Sequence, residues 1–242
     1  MIGNGVMKVK LIANGSRPWE RWIRRWGLSF LVDDDILFDA FGDARVLVGN
    51  LRRFKVNIGK IQHVVISHEH WDHVEGLRPL LAQKPGLKIY LPRHVDAVLK
   101  GNIRVWGGDV VEVNGPVRLK DGVHVSGEII GRYVGKDIQE QAVVLETGKG
   151  LVVLSGCAHP GIMIIVNCVK KDFRKPVHGV IGGFHLKDRS MEDISLEVAR
   201  LKAAGVDMVA PLHCTGAKAE KVFKQAFGSG CLLLREGQEM VL

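Results

Sequence analysis

Three histidines and an aspartate stand within six residues in His68-Glu69-His70-Trp71-Asp72-His73, directly after the apolar run Val64-Val65-Ile66. A β-branched run bounded by polar residues predicts a buried strand, and the polar cluster then falls where that strand ends. His68 and His70 are two apart, so an extended backbone points both the same way. Asp72 and His73 follow as the chain turns into a helix. Neutral imidazole nitrogen and carboxylate oxygen are the donors that a zinc-type divalent ion prefers. Gathering four such groups on one loop without a cation is costly, so this spacing predicts a metal site.

Further along, the same pattern recurs as single histidines. A strand ending at Leu154 runs into Ser155-Gly156-Cys157-Ala158-His159-Pro160-Gly161, where the glycines permit close backbone approach and the proline opens a helix. Val177–Ile181 runs into Gly182-Gly183-Phe184-His185, and Met208–Pro211 into His213-Cys214-Thr215-Gly216. Any one of His159, His185 and His213 alone would read as a structural histidine. Their recurrence at successive strand ends, where α/β folds build sites, predicts ligation. His178 and His94 read as structural and surface residues respectively. Cys214 reads as packing, because nothing in the sequence supplies an acidifying partner.

Positioning these groups takes an alternation of strands and helices. Strands are expected at Lys8–Ile12, Leu28–Val32, Ile36–Phe38, Ile61–Ser67 and Lys88–Leu91, with Asp33-Asp34-Asp35 as a hairpin turn. Asp109–Arg132 alternates with glycine punctuation and reads as several antiparallel strands. Gln141–Glu146 and Leu151–Leu154 form a second hairpin, and Leu232–Leu234 and Glu239–Leu242 read as closing strands. Helices are expected over Asp43–Phe54, Glu75–Ala82, Met191–Ala204 and Ala217–Phe227. Asp39, at a strand end, serves either as a helix N-cap or to orient a ligating histidine from behind. In Arg17–Trp26, Trp19, Trp22, Ile23 and Trp26 share one helical face, opposite Arg21, Arg24 and Arg25. Three roles fit this segment: packing on the core, a lid with arginines towards an anionic group, or nucleic-acid binding.

At 242 residues, of which 46% are hydrophobic, the chain is expected to be one folded α/β domain spanning residues 1–242. No apolar run is long enough to span a bilayer, and residues 1–5 carry no secretory pattern. Four cysteines without Cys-x-x-Cys spacing indicate neither a thiolate zinc site nor a disulfide framework. A cytoplasmic protein without a membrane partner is the expectation. The net charge of +8 favours anionic partners. By itself it does not choose between nucleic acid and a phosphorylated small molecule; with no block of five or six like charges to mark a basic tail, an anionic metabolite is the expected partner.

His68-x-His70-x-Asp72-His73, followed by His159 and His213, resembles the metallo-β-lactamase-fold hydrolases along essentially the whole chain. Gly27-Leu28-Ser29, Ser155-Gly156-Cys157-x-His159, Gly182-Gly183-Phe184-His185-Leu186 and His213-Cys214-Thr215-Gly216 look more narrowly like one subgroup. It is labelled dihydropteroate-synthase-related, or as 7,8-dihydropterin-6-methyl-4-(β-D-ribofuranosyl)aminobenzene 5′-phosphate synthases. The resemblance implies a four-layer αββα sandwich of two mixed β-sheets. It also implies two divalent ions, zinc first, with manganese or iron as alternatives. His68, His70 and His159 would hold one, and Asp72, His73 and His213 the other. Many members carry an aspartate bridging both metals where this chain reads Gly182-Gly183-Phe184-His185. His185 then either substitutes as a ligand or meets the substrate.

From that ligand set follows an expected chemistry, hydrolysis of a phosphorylated or otherwise anionic small molecule by a metal-activated water. Asp72 would orient the water, and His185 would protonate the leaving group or contact phosphate. Trp71, Trp22 and Arg25 are candidate substrate contacts. The competing expectations are the pterin-pathway transferase with an aromatic slot from Trp19, Trp22 or Trp71, a nuclease, and a non-catalytic metal-bound ligand sensor.

Overall fold

The computed structural model describes residues 7–242; the first six, with the start that shows no secretory pattern, lie outside the described residues. The chain divides into two compact units, one running up to Gly115 and including Arg235–Leu242, the other Pro116–Leu234.

The first unit opens with β1 (Lys8–Gly15), α1 (Pro18–Trp22), β2 (Gly27–Val32) and β3 (Ile36–Phe38). It continues through α2 (Ala44–Arg53), β4 (His63–Val65), α3 (Trp71–Val74), α4 (Leu77–Gln83), β5 (Lys88–Pro92), α5 (Ala97–Val105) and β6 (Asp109–Val113). β1, β2 and β3 pair antiparallel, and β3 through β6 run parallel. One face of this sheet presents Ile12, Leu31, Leu37, Val64 and Ile89 to leucines of α2 and α4 and to Ile103 of α5. Burial of these branched side chains, each contributing about 1.5–3 kcal/mol, holds the strand ends where the histidines sit.

In the second unit come β7 (Val117–Lys120), β8 (Val123–Val125), β9 (Ile129–Tyr133), β10 (Lys136–Glu140), β11 (Val143–Thr147) and β12 (Gly150–Ser155). α6 (Ile162–Phe173), β13 (Val177–Gly183), α7 (Met191–Ala203), β14 (Met208–Leu212) and α8 (Ala217–Phe227) complete it. Its sheet has the order β14-β13-β12-β11-β8-β7, and β9 and β10 form a separate ribbon. β12, β13 and β14 are parallel neighbours, so their carboxyl ends lie side by side. Ile165 and Val169 of α6, Val198 of α7 and Phe223 of α8 fill the core over this sheet. The chain then returns to the first unit, where β15 (Glu239–Val241) pairs with β1.

Several expectations need correction. Within Asp109–Arg132, β7, β8 and β9 pair antiparallel as expected, but β6 joins β5 in parallel within the first unit, because alternation reports a half-buried strand but not its pairing direction. Leu232–Leu234 forms no strand; only a single bridge between Cys231 and Val209 is made there, and Leu233 is exposed. The helix expected over Arg17–Trp26 shrinks to the five residues of α1, since Arg24 adopts φ +58° and breaks it. Trp19 and Trp22 therefore do not pack on the core. Trp22 is 88% exposed, and only Trp26 is buried. The helix expected over Glu75–Ala82 is α4, beginning two residues later at Leu77 after Gly76, whose hydrogen lets Ala40 O come within 2.1 Å of where a Cβ would stand.

At the start of α2, Asp43 caps the helix by accepting from Arg45 N. Burial works to raise its carboxyl, but the hydrogen bonds and charge of Arg45 hold it below the ordinary 3.8. Asp43→Ala is expected to cost about 1 kcal/mol, read as a lower midpoint in urea. Because the folded value is the depressed one, the cap's contribution is full above 3.8 and fades as pH falls through the folded value.

Candidate metal centre

In the first unit, the loop after β4 carries Ser67, His68 and His70, and α3 then carries Asp72 and His73 on its single turn. His68, Asp72 and His73 are buried. Ring centroids lie 4.7 Å apart for His68 and His70, and 4.2 Å for His68 and His73. Behind them sits Asp39, buried and in the left-handed region at φ +60°. It is no helix cap, since Asp43 caps α2. Its carboxylate accepts from Ser67 N and Ser67 Oγ, each at 2.7 Å, and from His73 Nδ1 at 2.6 Å.

These bonds fix the tautomers. Ser67 spends its single hydroxyl proton on Asp39, so at 2.8 Å it accepts from His68 Nδ1. His68 Nε2 then carries a lone pair, which accepts from His70 Nδ1 at 3.0 Å. His73 gives its Nδ1 proton to Asp39, which turns its Nε2 lone pair towards Asp72 Oδ2 at 3.5 Å. A lone pair facing a carboxylate in the interior is repulsive unless a cation or proton lies between them. Without a metal, a proton takes that place. Burial would push His73 down, but Asp39 and Asp72 carry it well above 6.5. The donor set and its outer partners thus fit a divalent ion.

In the second unit, the loops after β12, β13 and β14 carry the remaining candidates. Glu140, buried at the end of β10, accepts from Cys157 N at 2.9 Å and from Ala158 N and His159 N at 2.7 Å each. One carboxylate therefore shapes the loop that presents His159. The ribbon brings Tyr133 edge-on to His159 and His185, with centroids 5.0 and 5.8 Å away. Gly131 makes this possible, because a Cβ there would lie 2.5 Å from Pro160 N. His159 and His185 are 4.4 Å apart by centroid. His185 and His213 both hold positive φ, +52° and +50°, as does Ala158 at +57°. Left-handed backbone in non-glycine residues costs roughly 1–3 kcal/mol each and clusters at functional sites.

Cys214 was expected to be packing, but its surroundings are polar. Burial works to raise its thiol, yet contact with Cys157, His213 and His185 holds it well below the ordinary 9.0. Burial likewise works to lower His185, and the neighbouring Cys214 outweighs it and raises the imidazole above 6.5. Sequence reasoning missed Glu140, Tyr133, Ser67 and the pair Cys157 and Cys214. The one available signal was that both cysteines stand within two residues of a candidate histidine. Elsewhere, His178 pairs with Asp207 at 3.5 Å, and His94 is exposed in a turn. Trp71 packs its ring edge on Gly42 and carries the Arg24 guanidinium 4.9 Å above its face. Arg24 also bonds Glu75 at 2.8 Å, while Trp22 and Arg25 are exposed beside it in sequence.

Comparison with known proteins bears on both units. Residues 34–125 match the β-lactamase superfamily domain. The chain is 32% identical to the 7,8-dihydropterin-6-methyl-4-(β-D-ribofuranosyl)-aminobenzene-5′-phosphate synthase of Methanocaldococcus jannaschii, over 83% of this chain and 84% of the relative. The crystal structure of Tm1679, a metal-dependent hydrolase of the β-lactamase superfamily, matches with a TM-score of 0.77 at 24% identity. That match covers 97% of this chain and 98% of the other. A diphosphatase from the PhnP family matches with a TM-score of 0.64 at 12% identity, over 98% of each chain. The fold these two structures share with the chain is mixed α/β, with two large mixed sheets.

Proposed function

This chain belongs to the metallo-β-lactamase superfamily, in the group of the Methanocaldococcus synthase, and we propose that it is a metal-dependent hydrolase of a phosphorylated or otherwise anionic small molecule. The observation that carries the reading is the set His68, His70, Asp72 and His73 within six residues, with His68, Asp72 and His73 buried and the rings of His68 and His73 oriented by Ser67 and Asp39. His68, His70 and His159 hold one divalent ion in this reading, and Asp72, His73 and His213 a second. Zinc suits the imidazole and carboxylate donors first, then manganese or iron. All of residues 1–242 act as one domain in this reading, and the protein works in the cytoplasm. No helix among the described residues is long and apolar enough to cross a membrane.

When bound, such ions lower the pKa of water and polarise the oxygen under attack. The chain's own residues supply order. Asp39 keeps the His73 proton on Nδ1, so the ring faces Asp72 with its lone pair. Asp72 orients the attacking water through its carboxylate. The +8 net charge draws an anionic substrate, and Trp22 and Arg25 contact it from their exposed segment. Trp22→Ala is expected to leave stability within about 0.5 kcal/mol, since the side chain is 88% exposed. KM should rise several-fold, matching loss of about 1 kcal/mol of aromatic contact. An unchanged KM would remove Trp22 from the substrate.

A second reading, transfer of a pterin-methyl group onto a phosphorylated aminobenzene riboside, is favoured by the 32%-identical relative, which is named for synthesis of such a compound. The deciding experiment gives metal-loaded protein phosphomonoesters, phosphodiesters, oligonucleotides, and a pterin-methyl diphosphate with a ribosyl-aminobenzene phosphate. Hydrolysis of a small phosphorylated compound, lost on chelation and in His70→Ala, is the expected result. Coupled product without hydrolysis would establish the second reading instead. Cleavage of oligonucleotides alone would make the protein a nuclease, and tight binding without turnover a sensor.

A further inference from the structure

We propose that Cys157, His185 and Cys214 form a cation site with two thiolate donors, taking a thiophilic divalent ion such as zinc. Their two sulfurs and one ring nitrogen lie within 4.8 Å of one another, with both cysteines buried. Each residue stands two positions beyond the end of a strand: Cys157 after β12, His185 after β13 and Cys214 after β14. Those strands are parallel neighbours in register, Ser155 beside Gly182 and Gly183 beside Leu212. The convergence of the three donors therefore follows from the sheet itself.

Local structure holds the cluster closed. A Cβ on Gly183 would stand 2.7 Å from Cys214 Sγ and 2.3 Å from Gly156 O, so only glycine lets the thiol and the Cys157 loop approach. Cys214 Sγ contacts Cys157 O at 3.6 Å, and Glu140 fixes the Cys157 amide. His185 is kept in left-handed backbone, with its Nδ1 buried and bonded to nothing among the described residues. An interior nitrogen without a partner, on a ring that also contacts the Cys214 thiol, suits an acceptor of lone pairs.

The chemistry is that of a thiolate site with an open position. Zinc draws sulfur to about 2.3 Å and imidazole nitrogen to about 2.0 Å, which small rotations of these side chains achieve. Binding releases the two thiol protons and changes no oxidation state. Thiolates select softer ions than imidazole and carboxylate do, so this site and the histidine-aspartate set differ in preference. His185 becomes a ligand here rather than a proton donor. None of the three donors belongs to the six residues of the proposed function, and those six supply no sulfur, so a sulfur shell around the metal tells the two assignments apart.

The test uses the reduced full-length protein, loaded with cobalt for absorption and with zinc for X-ray absorption. Expected are a thiolate-to-cobalt charge-transfer band and a sulfur shell near about 2.3 Å around zinc. Both should persist in Cys168→Ser, whose sulfur lies outside the cluster. Both should vanish in Cys157→Ser/Cys214→Ser, with one metal fewer per chain. A wild-type shell of nitrogen and oxygen only, at full loading, would overturn the proposal, as would a sulfur shell that survives the double substitution. The wild-type spectra decide even if the double variant does not fold, and neither readout depends on turnover.

Discussion

Asp39→Ala is expected to lower the stability of the metal-free protein by roughly 3–5 kcal/mol, the usual loss when one partner of a buried charged network is removed. The side chain is fully buried and is the acceptor for Ser67 N, Ser67 Oγ and His73 Nδ1. Each donor left unmet in the interior costs about 1–3 kcal/mol, which agrees in size. At about 2–4 °C per kcal/mol for a chain of this length, Tm should fall by roughly 6–20 °C. Metal affinity should fall about 10- to 100-fold as well, because the His68 and His73 tautomers are no longer fixed. Asp39→Asn keeps the volume but turns an amide donor towards other donors, so it should recover little of either loss. Thermal unfolding with and without chelator measures the first effect, and competition against a metal-binding dye the second. An unchanged affinity in both variants would remove Asp39 from the centre.

Glu140→Ala should be nearly as damaging, by a different route. Three consecutive backbone amides, Cys157, Ala158 and His159, give their hydrogens to this one carboxylate. Ala158 holds positive φ within that loop, a conformation the surrounding bonds must enforce. Loss of the acceptor is expected to cost roughly 3–5 kcal/mol, and to open the loop first. Amide exchange of Cys157–His159 should rise well above that of β12, which the loop follows. Equal protection in the variant and the parent would show that water or another group replaces the carboxylate. Glu140→Gln retains one oxygen acceptor and should fall between the two.

Much of the architecture could be read from residue patterns. Val64-Val65-Ile66 announces a buried strand because nothing polar interrupts it, and in β13 Val180-Ile181 carries the signal past His178. Partner choice was illegible: β6 alternates like any edge strand, and only its register with β5 shows that it runs parallel. The Trp19 and Trp22 spacing promised an apolar helix face, yet α1 ends after one turn, because helical periodicity carries no information on whether a core lies opposite. His68, His70, Asp72 and His73 were legible as a set because they are adjacent in sequence. Cys157, His185 and Cys214 were not, since their proximity arises from strand order rather than spacing. Glu140 looked like the polar end of a strand, and nothing local marks a carboxylate whose partners lie 17 to 19 residues further on.

The pairing of β1 with β15, Lys8 beside Val241 and Lys10 beside Glu239, bears on how the chain is made. A ribosome adds about 5–20 residues each second, so β1 emerges many seconds before its outer partner exists. During that interval one edge of β1 is open to any extended segment, the second unit's strands included. Lys8 and Lys10 on that edge, which later pair with Glu239 at 3.6 and 3.1 Å, keep it charged while it waits. Synthesis order thus makes the final strand a latch, and a nascent chain stalled short of Glu239 would present chaperones with an unsealed sheet.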